Sequence, residues 1–263
     1  GRTGVITPVA HLRPISVAGS TVSRATLHNE DEIKRLDVRI GDTVILQKAG
    51  DVIPDIVRVL AEMRTGKEKV FHMPKHCPEC GSKLEKKKSG GKRSNLKDAP
   101  RFDLGEPGNL SVALYCTNSK CPAKDRRVLY HFTGKHAFDI EHLGPKNLDV
   151  LLDNGLISSR ADIFTLEKGD LLALPRFAEK SADNLLAAIE ERRKIPMDRF
   201  IIALSIPQVG EETARLLASK FQDPITKIQA GKINKEELEK IDGIGPTVAE
   251  EIVHWFSDKH NQK

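Results

Sequence analysis

Gly243-Ile244-Gly245, followed by Ala249 and the apolar pair Ile252-Val253, is the clearest of four related stretches in this chain. The segments align on Leu143-Gly144, Phe177-Ala178, Val209-Gly210 and Ile244-Gly245, with the second positions 34, 32 and 35 residues apart. Four positions later stand Leu148, Ala182, Ala214 and Ala249, followed by Leu151-Leu152, Leu185-Leu186, Leu217-Ala218 and Ile252-Val253. Self-similarity at a fixed period marks a repeat architecture. Residues 131–263 therefore read as an all-α domain of four helix-hairpin-helix units. In each, a helix meets a tight turn and then a second helix, whose small residue lets its partner approach.

A tight turn into a helix N-terminus leaves backbone N–H groups pointing outward, and these make a nest for an anion such as a DNA phosphate. Glycine permits the φ angle and lets the phosphate come close. Gly144, Gly210, Gly243 and Gly245 are the resulting candidates for DNA contact. The units are unequal. At the first-glycine position the others carry His142, Arg176 and Gln208, and the second repeat has Ala178 in place of the second glycine, which weakens its expected grip.

Moving toward the N-terminus, Cys77-Pro-Glu-Cys80 and Cys116-Thr-Asn-Ser-Lys-Cys121 use every cysteine in the chain, with 35 residues between the pairs. Two close pairs at knuckle spacing point to one structural Zn²⁺ held by Cys77, Cys80, Cys116 and Cys121, with no open position for catalysis. Gly81 supplies an open backbone after the first knuckle. Disulfides are the competing explanation, but nothing marks the chain as secreted. The zinc finger spans 73–130, and its insert at 83–108, rich in Lys, Ser and Gly, reads as a flexible basic flap.

Residues 1–72 read as short strands over Val5–Val9, Thr21–Leu27, Thr43–Gln47 and Asp55–Leu60. A helix over Glu30–Leu36 lies between them, with Asn29 as its N-cap and Glu32 completing a capping box. This pattern fits an OB-type β-barrel, with an SH3-like barrel close behind. No Phe, Tyr or Trp precedes Phe71. A base-stacking platform for single strands is thereby disfavoured. Any nucleic-acid contact would run through Arg2, Arg24, Arg39 and Lys48, and through Val52-Ile53 pressed into a minor groove. Pattern alone favours Val52 and Ile53 as ordinary core residues.

The whole is a multidomain α+β chain of 263 residues with net charge +5. Residues 73–130 carry 13 basic and 6 acidic side chains, against 18 and 22 for 131–263. The basic middle favours a polyanion partner. The acidic C-terminal part is compatible with DNA because a backbone nest needs little side-chain charge. No run approaches the roughly 20 apolar residues of a membrane span, and no secretory signal pattern opens the chain.

Taken in order, these residues resemble the C-terminal half of a bacterial NAD-dependent DNA ligase. The resemblance rests on Gly1-Arg2-Thr3-Gly4-Val5-Ile6-Thr7-Pro8-Val9-Ala10, on Ser23-Arg24-Ala25-Thr26-Leu27-His28-Asn29 with Asp31-Glu32-Ile33, and on Ala49-Gly50-Asp51-Val52-Ile53-Pro54. Phe138-Asp139-Ile140-Glu141 and Glu179-Lys180-Ser181-Ala182 match as well, and the zinc pairs and hairpins follow in the family's order. The resemblance implies an enzyme of the bacterial cytoplasm that seals nicks in replication and repair, with these modules clamping nicked duplex DNA. It places Arg2, Thr3 and Lys48 on the backbone and Val52 and Ile53 against the minor groove. Lys48 stands where arginine is usual, keeping the charge but losing the fork of donors.

Nothing here resembles the family's adenylation domain, expected upstream, or its BRCT domain. NAD⁺ and Mg²⁺ belong to the adenylation domain. Lys240-Ile241-Asp242-Gly243 fits the motif of the adenylated lysine, but it falls in the fourth hairpin with Gly243 as the turn glycine. The chain alone is thus expected to be unable to adenylate itself. A stand-alone duplex-binding adaptor and an RNA-binding OB/zinc protein are the alternatives.

Overall fold

The computed structural model describes all residues except 18, 50–52, 89–109, 222, 259–260 and 262–263, and no side chain at 49, 53, 87, 88 or 110–112. The chain divides into two compact units, Gly1–Asp125 and Arg126–Lys263.

The first unit begins with β1 (Val5–Ile6), β2 (Val9–Val17), β3 (Ser20–Thr26), α1 (Glu30–Leu36) and β4 (Arg39–Ile40). It continues with β5 (Val44–Ala49), β6 (Ile53–Val59), β7 (Lys69–Val70), β8 (Leu84–Lys88) and β9 (Leu110–Cys116). The OB part is a four-stranded sheet in the order β2-β3-β6-β5, antiparallel except where Thr26 on β3 meets Asp55 on β6. Ala25, Leu27, Ile33 and Ile56 form its buried core, onto which α1 packs Ile33, buried, and Leu36, half-buried.

The helix occupies the predicted span, and Asn29 Oδ1 accepts from Glu32 N at 2.9 Å. The capping box is only half made. The Glu32 carboxylate takes both nitrogens of the Arg35 fork, at 2.9 and 2.6 Å, a charge-assisted pairing that outcompetes the Asn29 amide. At the other end Asp37 adopts a left-handed conformation, φ 46°. Arg64 fixes it there, bonding the Asp37 carboxylate at 2.7 Å and the buried Asp42 carboxylate at 2.8 Å.

Two expectations for this unit change. The stretch expected as one strand over Val5–Val9 splits, and its first part leaves the OB sheet. β1 pairs with β9, in a three-stranded sheet of order β1-β9-β8. The cause is local: Gly4 turns the chain at φ 83°, and its carbonyl accepts from Cys116 N at 2.9 Å. A side chain at Gly4 would overlap Lys124 Cε at 2.4 Å and press on the Cys116 carbonyl at 3.3 Å.

The basic flap is the second correction. Leu84–Lys88, its first part, is a strand against β9, with Leu84 opposite Cys116 and Lys86 opposite Leu114. Residues 89–108 lie outside the described residues. The lysines make sense on β8 because it is the edge of its sheet, where charged side chains discourage further pairing.

The second unit is helical: α2 (Pro122–Phe132, within which the division falls), α3 (Pro145–Asp153), α4 (Lys168–Leu172), α5 (Glu179–Glu191) and α6 (Met197–Ala203), then α7 (Glu211–Lys220), α8 (Pro224–Gln229), α9 (Lys235–Glu239) and α10 (Pro246–Ser257). It has two cores. One gathers Leu148, Leu151, Ile163, Leu171 and Leu185 with Phe132 and Phe138, whose rings lie 4.3 Å apart. The other gathers Ala214, Leu217, Leu238, Ile252 and the Trp255–Phe256 pair.

The halves echo each other at 67 residues. Lys168 bridges to Asp183 at 2.8 Å and Lys235 to Glu250 at 3.1 Å. The helices carrying those lysines each open on a capping pattern, Glu167/Asp170 and Asn234/Glu237. Among the described residues no helix is long and apolar enough to cross a membrane.

Candidate metal centre and nucleic-acid interface

All four cysteines converge, with their sulfurs within 4.8 Å of one another. Cys77, Cys116 and Cys121 are buried and Cys80 is half-buried. Two of the separations are 4.0 Å, Cys77 to Cys121, and 3.5 Å, Cys80 to Cys116. Tetrahedral Zn–S bonds of about 2.3 Å require sulfurs about 3.8 Å apart, so the cage has the right size for zinc.

The backbone shapes the cage. Gly81, left-handed at φ 71°, donates to the Cys77 carbonyl at 2.9 Å, and Cys77 N donates to Ser82 O at 2.7 Å. Lys124 Nζ gathers the carbonyls of Cys116 and Asn118 at 2.9 and 2.7 Å, closing the second knuckle. Hydrogen bonding from Ser82 holds the Cys80 thiol down to about 6, whereas burial pushes Cys116 up to about 12 and Cys121 upward. Four thiols this close cannot all ionise by themselves. A divalent cation supplies the missing positive charge.

The hairpins share a single geometry. Residues 140–143, 174–177, 206–209 and 241–244 are four-residue turns closed by Leu143 N to Ile140 O, Phe177 N to Leu174 O, Val209 N to Ile206 O and Ile244 N to Ile241 O, at 3.0–3.4 Å. The third residue of each is left-handed: His142 at φ 64°, Arg176 at 85°, Gln208 at 61° and Gly243 at 92°. This is the pattern of a type II turn, in which Pro175 and Pro207 occupy the favoured second place.

Three of the four turns thus hold a non-glycine residue in the left-handed region, at a cost of about 1 kcal/mol each. The flanking side chains anchor them: Ile140, Leu143, Leu174, Phe177, Ile206, Ile241 and Ile244 are buried.

The second position obeys a different rule. Gly144, Ala178, Gly210 and Gly245 are N-caps of α3, α5, α7 and α10 with extended backbone, φ between −75° and −99°. Any residue adopts that conformation, so glycine is absent of strain there. Its value is space: a Cβ on Gly144, Gly210 or Gly245 would meet nothing within 4 Å, leaving the amide open to an incoming group. The helices then close on the small or apolar residues read from the repeat, Leu148, Ala182, Ala214 and Ala249, all fully buried. Lys240 is the exposed C-cap of α9, directly before the fourth turn.

Sequence reading gave no sign of how the first hairpin is supported. No regular helix leads directly into its turn; instead Arg199 on α6 forks onto the carbonyls of Lys135 and Ala137, both at 2.7 Å. A lone arginine on a predicted helix carries no local signal for such a contact.

In the first unit Arg2 and Thr3 are exposed in the turn before β1, beside the zinc sheet. Arg24 is exposed on β3 opposite His11, and Lys48 on β5 is half-buried opposite Pro54, so these two share the OB sheet. Arg39 lies on β4, 3.4 Å from the Asp37 carboxylate. Val52 lies outside the described residues, and Ile53 is placed by its backbone alone, opposite Ala49.

Comparison with known proteins agrees with these modules one by one. Residues 1–68 match the NAD-dependent DNA ligase OB-fold domain, and 76–123 the NAD-dependent DNA ligase C4 zinc finger domain. Residues 136–191 match the SAM-like helix-hairpin-helix tandem and 199–263 the helix-hairpin-helix motif. The OB-fold and the zinc finger are thus similar to those of NAD-dependent DNA ligases.

A DNA ligase of Halothermothrix orenii is 44% identical over 264 residues, covering 100% of this chain and 36% of that protein. One from Pseudomonas aeruginosa is 45% identical over 267 residues, covering 100% of the chain and 32% of its own length. The chain therefore spans about a third of the length of the ligases it matches. The two helix-hairpin-helix matches coincide with the two halves of the 67-residue echo, each holding one pair of hairpins.

Proposed function

We propose that this chain is the DNA-gripping part of a bacterial NAD-dependent DNA ligase, holding nicked duplex while the nick is sealed in replication and repair. One observation carries the proposal: three N-cap amides, those of Gly144, Gly210 and Gly245, open onto solvent behind the same exposed turn. Backbone donors at a helix N-terminus attract phosphate irrespective of base sequence, which suits an enzyme that must act at any nick.

In the first unit, Arg24 and Lys48 would add phosphate contacts from the OB sheet, with Arg2 and Thr3 contributing from the turn beside the zinc sheet. Val52 and Ile53 would rest in the minor groove. The zinc ion holds its knuckles in place and takes no part in bond making. NAD⁺ and Mg²⁺ would be used by an adenylation domain of the same enzyme, in the cytoplasm, while this part supplies binding and orientation. Lys240 is the C-cap of α9 ahead of the fourth turn, so incubation with NAD⁺ and Mg²⁺ should leave this chain free of AMP.

A gel shift with nicked duplex tests the proposal. Gly245→Asp should weaken binding at least about tenfold, because setting like charges together costs several kcal/mol. Failure of the unaltered chain to bind nicked duplex, or a preference for RNA in competition, would refute it.

A further inference from the structure

We propose that Ser181 closes the second hairpin to phosphate, so that the duplex is held by the first, third and fourth hairpins alone. The inference rests on the DNA-binding reading above and goes beyond it by assigning the grip hairpin by hairpin.

The four N-caps are equivalent in backbone, but not in what their amides do. Ala178 N donates to Ser181 Oγ at 2.8 Å, and the same hydroxyl donates back to the Ala178 carbonyl at 2.8 Å. Both polar groups of the N-cap are thus satisfied within one turn, and the hydroxyl oxygen sits where an acceptor must sit to reach that amide. At the matching place in the first hairpin, Asn147 turns its side-chain amide to the His142 carbonyl at 2.7 Å. Thr213 and Val248, its counterparts in the third and fourth, make no bond to their N-cap amides. The amides of Gly144, Gly210 and Gly245 have no acceptor among the described residues.

Two further features act in the same direction. Ala178 carries a methyl group where the others carry none. Glu179, the first residue of α5, adds a negative charge to the first turn, which opposes an incoming anion. The third hairpin also has a glutamate there, but Glu211 is drawn to His136 at 2.8 Å and to Arg215 at 3.5 Å. An exposed, self-satisfied turn is left in the second repeat, with its hairpin fold intact and its donor taken.

Releasing that donor tests the inference. The double variant Ala178→Gly/Ser181→Ala should bind nicked duplex about two- to tenfold tighter than the unaltered chain, the range one recovered hydrogen bond supplies. Circular dichroism of the variant verifies that α5 persists. A second measurement needs no substitution: on titration with duplex, the amide protons of Gly144, Gly210 and Gly245 should shift while that of Ala178 stays in place.

The assignment is overturned if the Ala178 amide moves with the other three, or if the folded double variant binds no tighter while Gly245→Asp still weakens binding. Loss of any response in all four amides, with no binding by the unaltered chain, would instead remove the DNA-binding reading itself.

Discussion

The zinc cage and the hairpin turns are both small, sharply bent pieces of chain, but they are specified by opposite means. In the cage, four side chains carry all the information, and the backbone is arranged to bring their sulfurs within 4.8 Å. In the hairpins the exposed third position is His, Arg, Gln or Gly with one conformation throughout. There the backbone is the surface proposed to bind, and its shape is held from beneath by buried apolar residues. A site made of ligands tolerates no change of ligand. A site made of amides tolerates almost any exposed side chain that does not cover them.

Zinc removal should separate the two most strongly. Structural zinc in small domains supplies about 10–16 kcal/mol of apparent binding free energy. Chelation, or Cys121→Ser, should therefore abolish protection of the β9 amides in hydrogen exchange and leave the helical signal of the second unit intact. A metal content near zero in protein with β9 still protected would break the comparison.

Leu148→Ala probes the other side, since it removes a fully buried residue beneath the first hairpin. It should cost about 2–5 kcal/mol in denaturant unfolding of the helical unit, as cavity-forming leucine substitutions do. One zinc per chain should remain bound; loss of zinc in this variant would show that the two regions are not independently specified.

A smaller, opposite effect is expected at the turn itself. Gln208→Gly relieves the left-handed strain at φ 61° and should stabilise the unit by about 0.5–1 kcal/mol, with DNA affinity unchanged. A fall in affinity would mean that the exposed side chain matters after all.

The mildest test uses pH. Asp162 accepts from the amides of Ser158 and Ser159 at 2.7 and 2.8 Å, and these hold its pKa down to about 2, below the usual 3.8. Its folded-state pKa is depressed, so its contribution is present above the usual carboxylate value and is lost as pH falls toward 2. Acid melts of Asp162→Ala should show a shallower decline over that window. Equal slopes would show that amides capped by a side chain gain nothing from the charge.

Much of this was legible in the chain because it is local. The helix at Glu30–Leu36 lies where its cap puts it, and the cysteine spacing forecast a cage of the right size. The four repeats, aligned on paired residues at roughly 34-residue intervals, forecast four turns, and the structure gives all four one geometry. Where reading failed, a distant partner decided. Val5-Ile6 looks like a continuation of the OB sheet until β9, more than a hundred residues later, takes it as a neighbour. Lys86-Lys87-Lys88 looks like a solvated loop, and only pairing with β9 makes it an edge strand.

Of the four turn glycines only Gly243, at φ 92°, uses glycine's conformational freedom. The φ requirement falls on the first position, where three repeats manage without glycine, whereas the second position is extended and accommodates Ala178 as well as glycine. By itself the sequence determined which residues hold the metal, how many hairpins there are, and which apolar side chains lie beneath them. Ligand chemistry and helical periodicity are written in spacing. The tertiary structure alone decided which sheet claims the first strand, that Arg199 supports the first hairpin, and that Ser181 takes the amide its counterparts leave open. Each of these is a hydrogen bond whose partner is chosen by distance in space, and spacing along the chain does not encode it.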